Sequence, residues 1–160
     1  MTSDAFNSSL RAYKEKGFFQ EIKFFRGIQR ESLRVDKNGK ISQKNHPKNL
    51  GSPLTNKDIT TDFAEALVEL VTPTFESPEE LFDHLSLLHK FLFSELDDEM
   101  LWNFSMPCAF TNENEILIAE YGKSNSGMLK HIYRKGLRLR YGSIMQCVSG
   151  INYNFSLAEN

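Results

Sequence analysis

The chain has 160 residues, 40% of them hydrophobic and 25% charged, with a formal net charge of −2. That length and apolar fraction suit one globular domain with its own core and exclude a disordered tail, while the interspersed charge offers no general basic field for nucleic acid or anionic membranes. The opening stretch MTSDAFNSSLRAYKEKG lacks the apolar centre of a signal peptide and no apolar run is long enough to span a bilayer, so a soluble cytoplasmic protein without membrane or nucleic-acid partners is expected.

Phe6, Leu10 and Tyr13 recur at helical spacing before Gly17, which predicts a short amphipathic helix over residues 4–16. From Ile22 to Val35 the pattern becomes aromatic and alternating. Asn38-Gly39 then separates it from ISQK, so the spacing predicts a hairpin of two antiparallel strands. Residues 45–58 are dense in Asn, Pro, Gly and Ser and read as a loop. Ser77-Pro78-Glu79-Glu80 combines a cap, a proline at the first helical position and a capping-box glutamate; Leu81, Leu85, Leu88, Leu92 and Leu96 follow at helical spacing. A further helix is expected from near Ser126 to about Arg140, with Leu129, Ile132 and Leu137 on one side and Gly142 ending it. The last run, SIMQCVSGINYNFSL, alternates: Met145, Cys147, Ile151, Tyr153 and Phe155 share one face, while Gln146, Asn152, Asn154 and Ser156 share the other. This strand has no later partner in the sequence, and an unpaired edge is a liability, so a further element is expected to complete it. The two cysteines, Cys108 and Cys147, lack metal or redox spacing and read as small core residues.

Two acidic segments raise the question of a site. In a strand over RGIQRESLRV, Gln29, Glu31, Leu33 and Val35 share one face, and Ile28, Arg30, Ser32 and Arg34 the other. Gln29 and Glu31 are then about 6.5–7 Å apart along the strand, a spacing that suits oxygen ligands of adjacent hard cations. A solvated face with Arg–Glu cross-strand pairs fits the pattern as well. The run ITTDFAEALVELVTP supports two conformations. As a helix it puts Asp62, Glu65 and Glu69 on one polar stripe. As a strand it sets Glu69 between Leu67 and Val71, where a carboxylate is costly unless a cation or donor compensates. Propensity supports the helix, β-branched Val68, Val71 and Thr72 before Pro73 support the strand, and both stay open. YGKSNSG fails as a phosphate loop because Leu117 stands where glycine is required, and it reads as a helix-entry loop with Ser126 as the cap. The basic helix carrying Lys130, Arg134, Lys135 and Arg138 reads as a solvated face, and no nucleophile triad involves His46, His84, His89 or His131.

Taken in order, RGIQRESLRV, HPKNLGSPLTNKDITTDFAEALVELVTP, LWNFSMPC, AEYGKSNSGMLKHIYRKGLRLRYG and MQCVSGINYNFSL resemble the N-terminal part of the gamma-proteobacterial type of glutamate-cysteine ligase, or gamma-glutamylcysteine synthetase. The resemblance covers nearly the whole chain after about Lys23. It implies an α+β fold: part of a glutamine-synthetase-like curved antiparallel sheet with flanking helices, incomplete at the C-terminus, with residues 1–160 forming a single N-terminal portion of a catalytic domain. It implies an ATP-dependent ligase in which the glutamate side chain attacks the γ-phosphate and the cysteine amine then displaces phosphate from γ-glutamyl phosphate, the first step of glutathione biosynthesis. Carboxylates that hold Mg²⁺ or Mn²⁺ would neutralise phosphate charge there and align the reactants.

Carried over position by position, the resemblance makes Gln29, Glu31, Asp62 and Glu69 metal-binding, which favours the strand at Glu69, and it places Tyr133, Arg134 and Asn152 at the substrate sites. No side chain is assigned as the catalytic group. Two positions depart from the family pattern: Gln29 stands for glutamate and Asn152 for histidine. The amide at Gln29 can still coordinate but lacks the charge that favours a hard dication. Asn152 offers neither an imidazole nitrogen nor a positive charge. Family members are also much longer, which sets a second expectation beside that of an incomplete enzyme: a non-catalytic remnant or partner subunit whose sheet another polypeptide completes.

Overall fold

The computed structural model describes residues 3–17 and 23–158. The predicted strand start at Ile22 lies outside these. Helix α1 spans Ser3–Glu15 and buries none of its side chains. Strand β1, Phe24–Val35, is the axis of the molecule. On one edge it pairs with β3, Leu67–Val71, and β3 in turn pairs with β2, Ile59–Thr61. On the other edge lie β4, Met100–Trp102, and β5, Ile151–Leu157. The register fixes this arrangement: Gln29 has partners in both β3 and β5, and Leu33 has partners in both β3 and β4. Every pairing is antiparallel, so the sheet belongs to a mixed α+β fold with β1 at its centre.

The Asn38-Gly39 turn forms as expected. The Asp36 carboxylate accepts from the Asn38 and Lys40 amides at 2.8 and 3.0 Å, and Gly39 takes φ +75°. The return strand ISQK shrinks to a single bridge between Val35 and Ile41. Its place is taken, because β3 already pairs with Gln29 to Leu33 on that edge of β1. The segment turns across Arg34 instead: this fully buried guanidinium is held by Glu99 at 2.9 Å and by the Lys44 and Glu65 carbonyls.

Helix α2, Pro78–Ser94, starts where the sequence indicates, with the Ser77 hydroxyl accepting from Glu80 N. The glutamate that answers the cap is Glu79, which accepts from the Ser77 hydroxyl, while Glu80 supplies only its amide. Leu81, Leu88 and Leu92, with Leu96 just beyond, are buried, and the last three pack on Val68, Leu70 and Ile59 of the sheet. The opposite sheet face carries Leu33, Val35 and Leu67 into a second core with Phe63, Ile116, Cys108 and Cys147. Both thiols are free and buried, and burial pushes Cys147 up to about 12.

Helix α3, Asn125–Tyr141, departs from the sequence reading in two ways. Its cap is Ser124, whose hydroxyl accepts from Gly127 N at 3.1 Å, and Leu129 and Ile132 are 69% and 57% exposed. The inward side is largely polar, and of the three apolar residues only Leu137 packs on the core. Gly127 seats against the Tyr121 carbonyl so closely that a Cβ would lie 2.4 Å from it. One and two turns on, His131 donates to Ala119 O and Arg134 to Asp62 O. Gly142 ends the helix at φ +77°. The stretch Met145–Cys147 is a 3₁₀ turn, not the start of a strand, so Met145 is exposed while Cys147 is buried. All residues of β5 are exposed, and its outer edge has no strand partner among the described residues. No helix among the described residues is long and apolar enough to cross a membrane.

Candidate functional site

The register of β1 with β3 sets Glu31 directly opposite Glu69. Side chains so paired have Cβ atoms about 4.5–5.5 Å apart, and like charges there repel. Both are half-buried. Burial and then the charges of Asp62 and Glu31 push the Glu69 carboxyl up to about 7, against weaker pulls from Arg134 and Lys130. Glu31 is also raised by burial and Asp62; the Gly150 amide, which donates to its Oε2 at 2.7 Å, opposes the rise. Gln29 lies two positions back on the same face of β1 and faces Asn152 of β5 in register. The face therefore presents two carboxylates across one strand pair, two amides across the next, and Asp62 close enough to act on both acids.

Asp62 follows the end of β2, and its backbone carbonyl is doubly held. Tyr121 donates its hydroxyl there at 2.9 Å, and Arg134 donates through Nε. The Arg134 guanidinium also lies 4.7 Å from the Tyr121 ring centroid. Cavities of about 360 and 450 Å³ border Lys135 and His131 on the neighbouring flank of α3, and neither is lined by Gln29, Glu31, Asp62 or Glu69. The carboxylate face, a wall formed by β1 and β3, lies outside both cavities.

The family model described as glutamate-cysteine ligase matches residues 8–160. The chain belongs to that family. A glutamate–cysteine ligase of Pseudomonas putida strain W619 is 55% identical over 133 residues, which cover 83% of this chain and 25% of that protein. The ligase of Bordetella petrii is 53% identical over 134 residues. Among solved structures, a Francisella tularensis glutamate–cysteine ligase in complex with AMP superposes with a TM-score of 0.83 at 47% identity, covering 86% of this chain and 28% of that one. A bifunctional glutathione synthetase from Pasteurella multocida superposes with a TM-score of 0.79 at 32% identity, covering 92% of this chain and 19% of that one. The chain spans about a quarter of the length of the curated ligases it matches.

Against this ligase background the positions named from sequence separate into three groups. Glu31, Glu69 and Asp62 come together as electrostatic neighbours, with Arg134 at their border. Gln29 and Asn152, the two positions the sequence reading expects to depart from the ligase pattern, are cross-strand partners of each other. Tyr133 stands apart, 62% exposed on the outer side of α3. Glu65, the remaining acid of its segment, lies away from the wall: its two oxygens accept from the His46 and Glu120 amides, each at 2.9 Å, so it ties two loops together. Tyr121 and Gly150 also belong to the site, through Asp62 O and Glu31 Oε2. A tyrosine at a loop end and a glycine before a strand carry no local signal, and their contact with Asp62 and Glu31 depends on tertiary packing.

No three His, Cys, Asp or Glu side chains among the described residues converge closely enough to form a metal site by themselves. Two opposed, mutually repelling carboxylates of raised pKa do fit a magnesium-type ion, which keeps several waters and uses one or two carboxylates together with phosphate oxygens.

Proposed function

We propose that this chain supplies the carboxylate wall of a glutamate–cysteine ligase site: the N-terminal portion of a catalytic domain that works on glutamate, cysteine and ATP in the cytoplasm. The observation that carries the reading is the Glu31–Glu69 pair, like charges set opposite each other on a half-buried face with Asp62 beside them. Such an arrangement is costly by itself, and the two acids would become favourable as ligands of a dication. Glu31, Glu69 and Asp62, with the amide oxygen of Gln29, would supply ligands to Mg²⁺ or Mn²⁺, one or two to an ion, with phosphate oxygens and water completing the coordination. Bound there, the ion would neutralise phosphate charge in the transfer from ATP to the glutamate side chain. Arg134 borders the acids as the cation for an anionic substrate group, Asn152 forms part of the floor beside Gln29, and Tyr133 would meet substrate only from the exposed side of α3. The γ-carboxylate of glutamate attacks the γ-phosphate and releases ADP. The cysteine amine then attacks the acyl phosphate, phosphate leaves, and γ-glutamylcysteine results.

A second reading has an observation of its own. Gln29 and Asn152, which the resemblance reads as replacing an acid and an imidazole, are cross-strand partners, so both replacements would fall on one strand pair of the wall. That favours a remnant or partner subunit which keeps the fold and no longer turns over. One assay separates the readings: ATP hydrolysis dependent on glutamate and cysteine, by the chain alone and mixed with the remaining three quarters of the Pseudomonas putida relative. A ligase portion gives no turnover alone and measurable turnover in the mixture, lost on Glu31→Gln. Silence in the mixture that Gln29→Glu with Asn152→His restores identifies the remnant, and turnover by the chain alone contradicts the need for a second polypeptide.

A further inference from the structure

Tyr121 has more tasks than a core phenol needs. It is 4% exposed, and its hydroxyl reaches two consecutive carbonyls, Thr61 O at 2.7 Å and Asp62 O at 2.9 Å. Its ring seats two cations, the Arg134 guanidinium at 4.7 Å and Lys130 Nζ at 5.0 Å from the centroid. Burial pushes the phenol up, so it remains a donor at neutral pH. Asp62 lies one residue past the last β2–β3 pair, Thr61 with Val68, so the ladder no longer fixes it. What holds its backbone is the Tyr121 hydroxyl and Arg134 Nε on one carbonyl, together with its own amide on Leu67 O.

We infer that Tyr121 is a positioning residue of the carboxylate wall, fixing Asp62 through its hydroxyl and Arg134 through its ring. This rests on the cation site proposed above. The same side chain sets both signs of charge at the border of Glu31 and Glu69: it anchors the acid that crowds them and seats the two cations that counter it. A ring with a cation over it contributes most when desolvated, which this buried ring is. Outer contacts of this kind orient metal-binding groups, and their loss typically lowers metal affinity about 10–100-fold.

The test is an Mn²⁺ titration of the 160-residue chain and its variants, followed by water proton relaxation. Y121F keeps the ring and leaves Asp62 O its Arg134 donor, so it folds, and its affinity falls about fivefold, as for one lost hydrogen bond. Y121L loses ring and hydroxyl together, and its affinity falls about 10–100-fold. In a D62N background Y121F causes no further loss, whereas a role in general stability lowers the unfolding midpoint and adds fully to D62N. A second reading needs no metal: hydrogen exchange of the Arg134 Nε–H, slow in the parent, accelerates in Y121L. Parent-like Mn²⁺ affinity and exchange in both Tyr121 variants overturn the inference while the cation site stands. Absence of Mn²⁺ binding in the parent, or binding indifferent to E31Q and E69Q, overturns the cation site and the inference with it.

Discussion

Glu69 and His46 make the stability of this chain depend on pH in opposite senses. Burial beside Asp62 and Glu31 raises Glu69 from 4.5 to about 7, so the folded state holds its proton more tightly than the unfolded state. Its contribution is fully present below pH 4.5 and is lost as pH rises through 7, a change of about 3 kcal/mol. His46 behaves inversely. It is buried, its ring nitrogens have no partner, and burial with the Arg34 charge lowers it from 6.5 to about 4. Its contribution is present above pH 6.5 and is lost as pH falls through 4, again by about 3 kcal/mol. The two slopes oppose each other between pH 4.5 and 6.5. Removing one exposes the other: Glu69→Gln is expected to gain stability over the parent as pH rises, by about 3 kcal/mol between pH 4.5 and 7. Urea denaturation at several pH values measures this, and a constant difference would show that Glu69 is not held in a raised state. At this scale alternation alone put Gln29 and Glu31 on one face. That Glu69 lies opposite Glu31 depends on the register of two strands far apart in sequence, which no local pattern contains.

Among the elements, α2 and α3 show when periodicity can be trusted. Helix α2 packs leucines on a sheet, so its apolar stripe and its inner face coincide. Helix α3 turns a polar side inward, and its stripe through Leu129 and Ile132 marks the exposed side instead. The residue that permits this is Gly127. With a Cβ only 2.4 Å from Tyr121 O and 2.9 Å from Gly122 O, Gly127→Ala must push backbone away, because neither atom is the end of a flexible side chain. Overpacking of this kind costs about 2 kcal/mol, more than the roughly 1 kcal/mol that alanine gains over glycine in a helix. Gly136, in the same helix, has nothing within 4 Å of its would-be Cβ. Gly136→Ala is therefore expected to stabilise by about 0.5–1 kcal/mol and Gly127→Ala to destabilise. Unfolding midpoints that move in the same direction for both would show that α3 is not docked through Gly127. In the sequence the two glycines look alike.

For the whole molecule, the question is what the sheet does at β5. The two cores lie on either side of β1 and β3. Strand β5 joins the other edge of β1 and stays exposed on both faces. Ile151, Tyr153, Phe155 and Leu157 present 52–69% of their surface on one side, and the outer edge is unpaired among the described residues. In the ligases that this chain matches, about three quarters of the length lies outside the matched part. An apolar face beside an open strand edge is the surface that associates when nothing covers it. The chain alone is therefore expected to self-associate with rising concentration. Tyr153→Lys with Phe155→Lys should return it to a monomer by placing charge on that face. Alternation puts both residues on the side of β5 opposite Asn152, away from Gln29, Glu31 and Glu69. Mn²⁺ affinity should consequently be unchanged in the doubly substituted chain while the sedimentation coefficient falls to that of an 18.4 kDa particle. Loss of Mn²⁺ binding together with association would mean that a second copy helps to form the cation site; persistence of association would move the contact to the exposed leucines of α3.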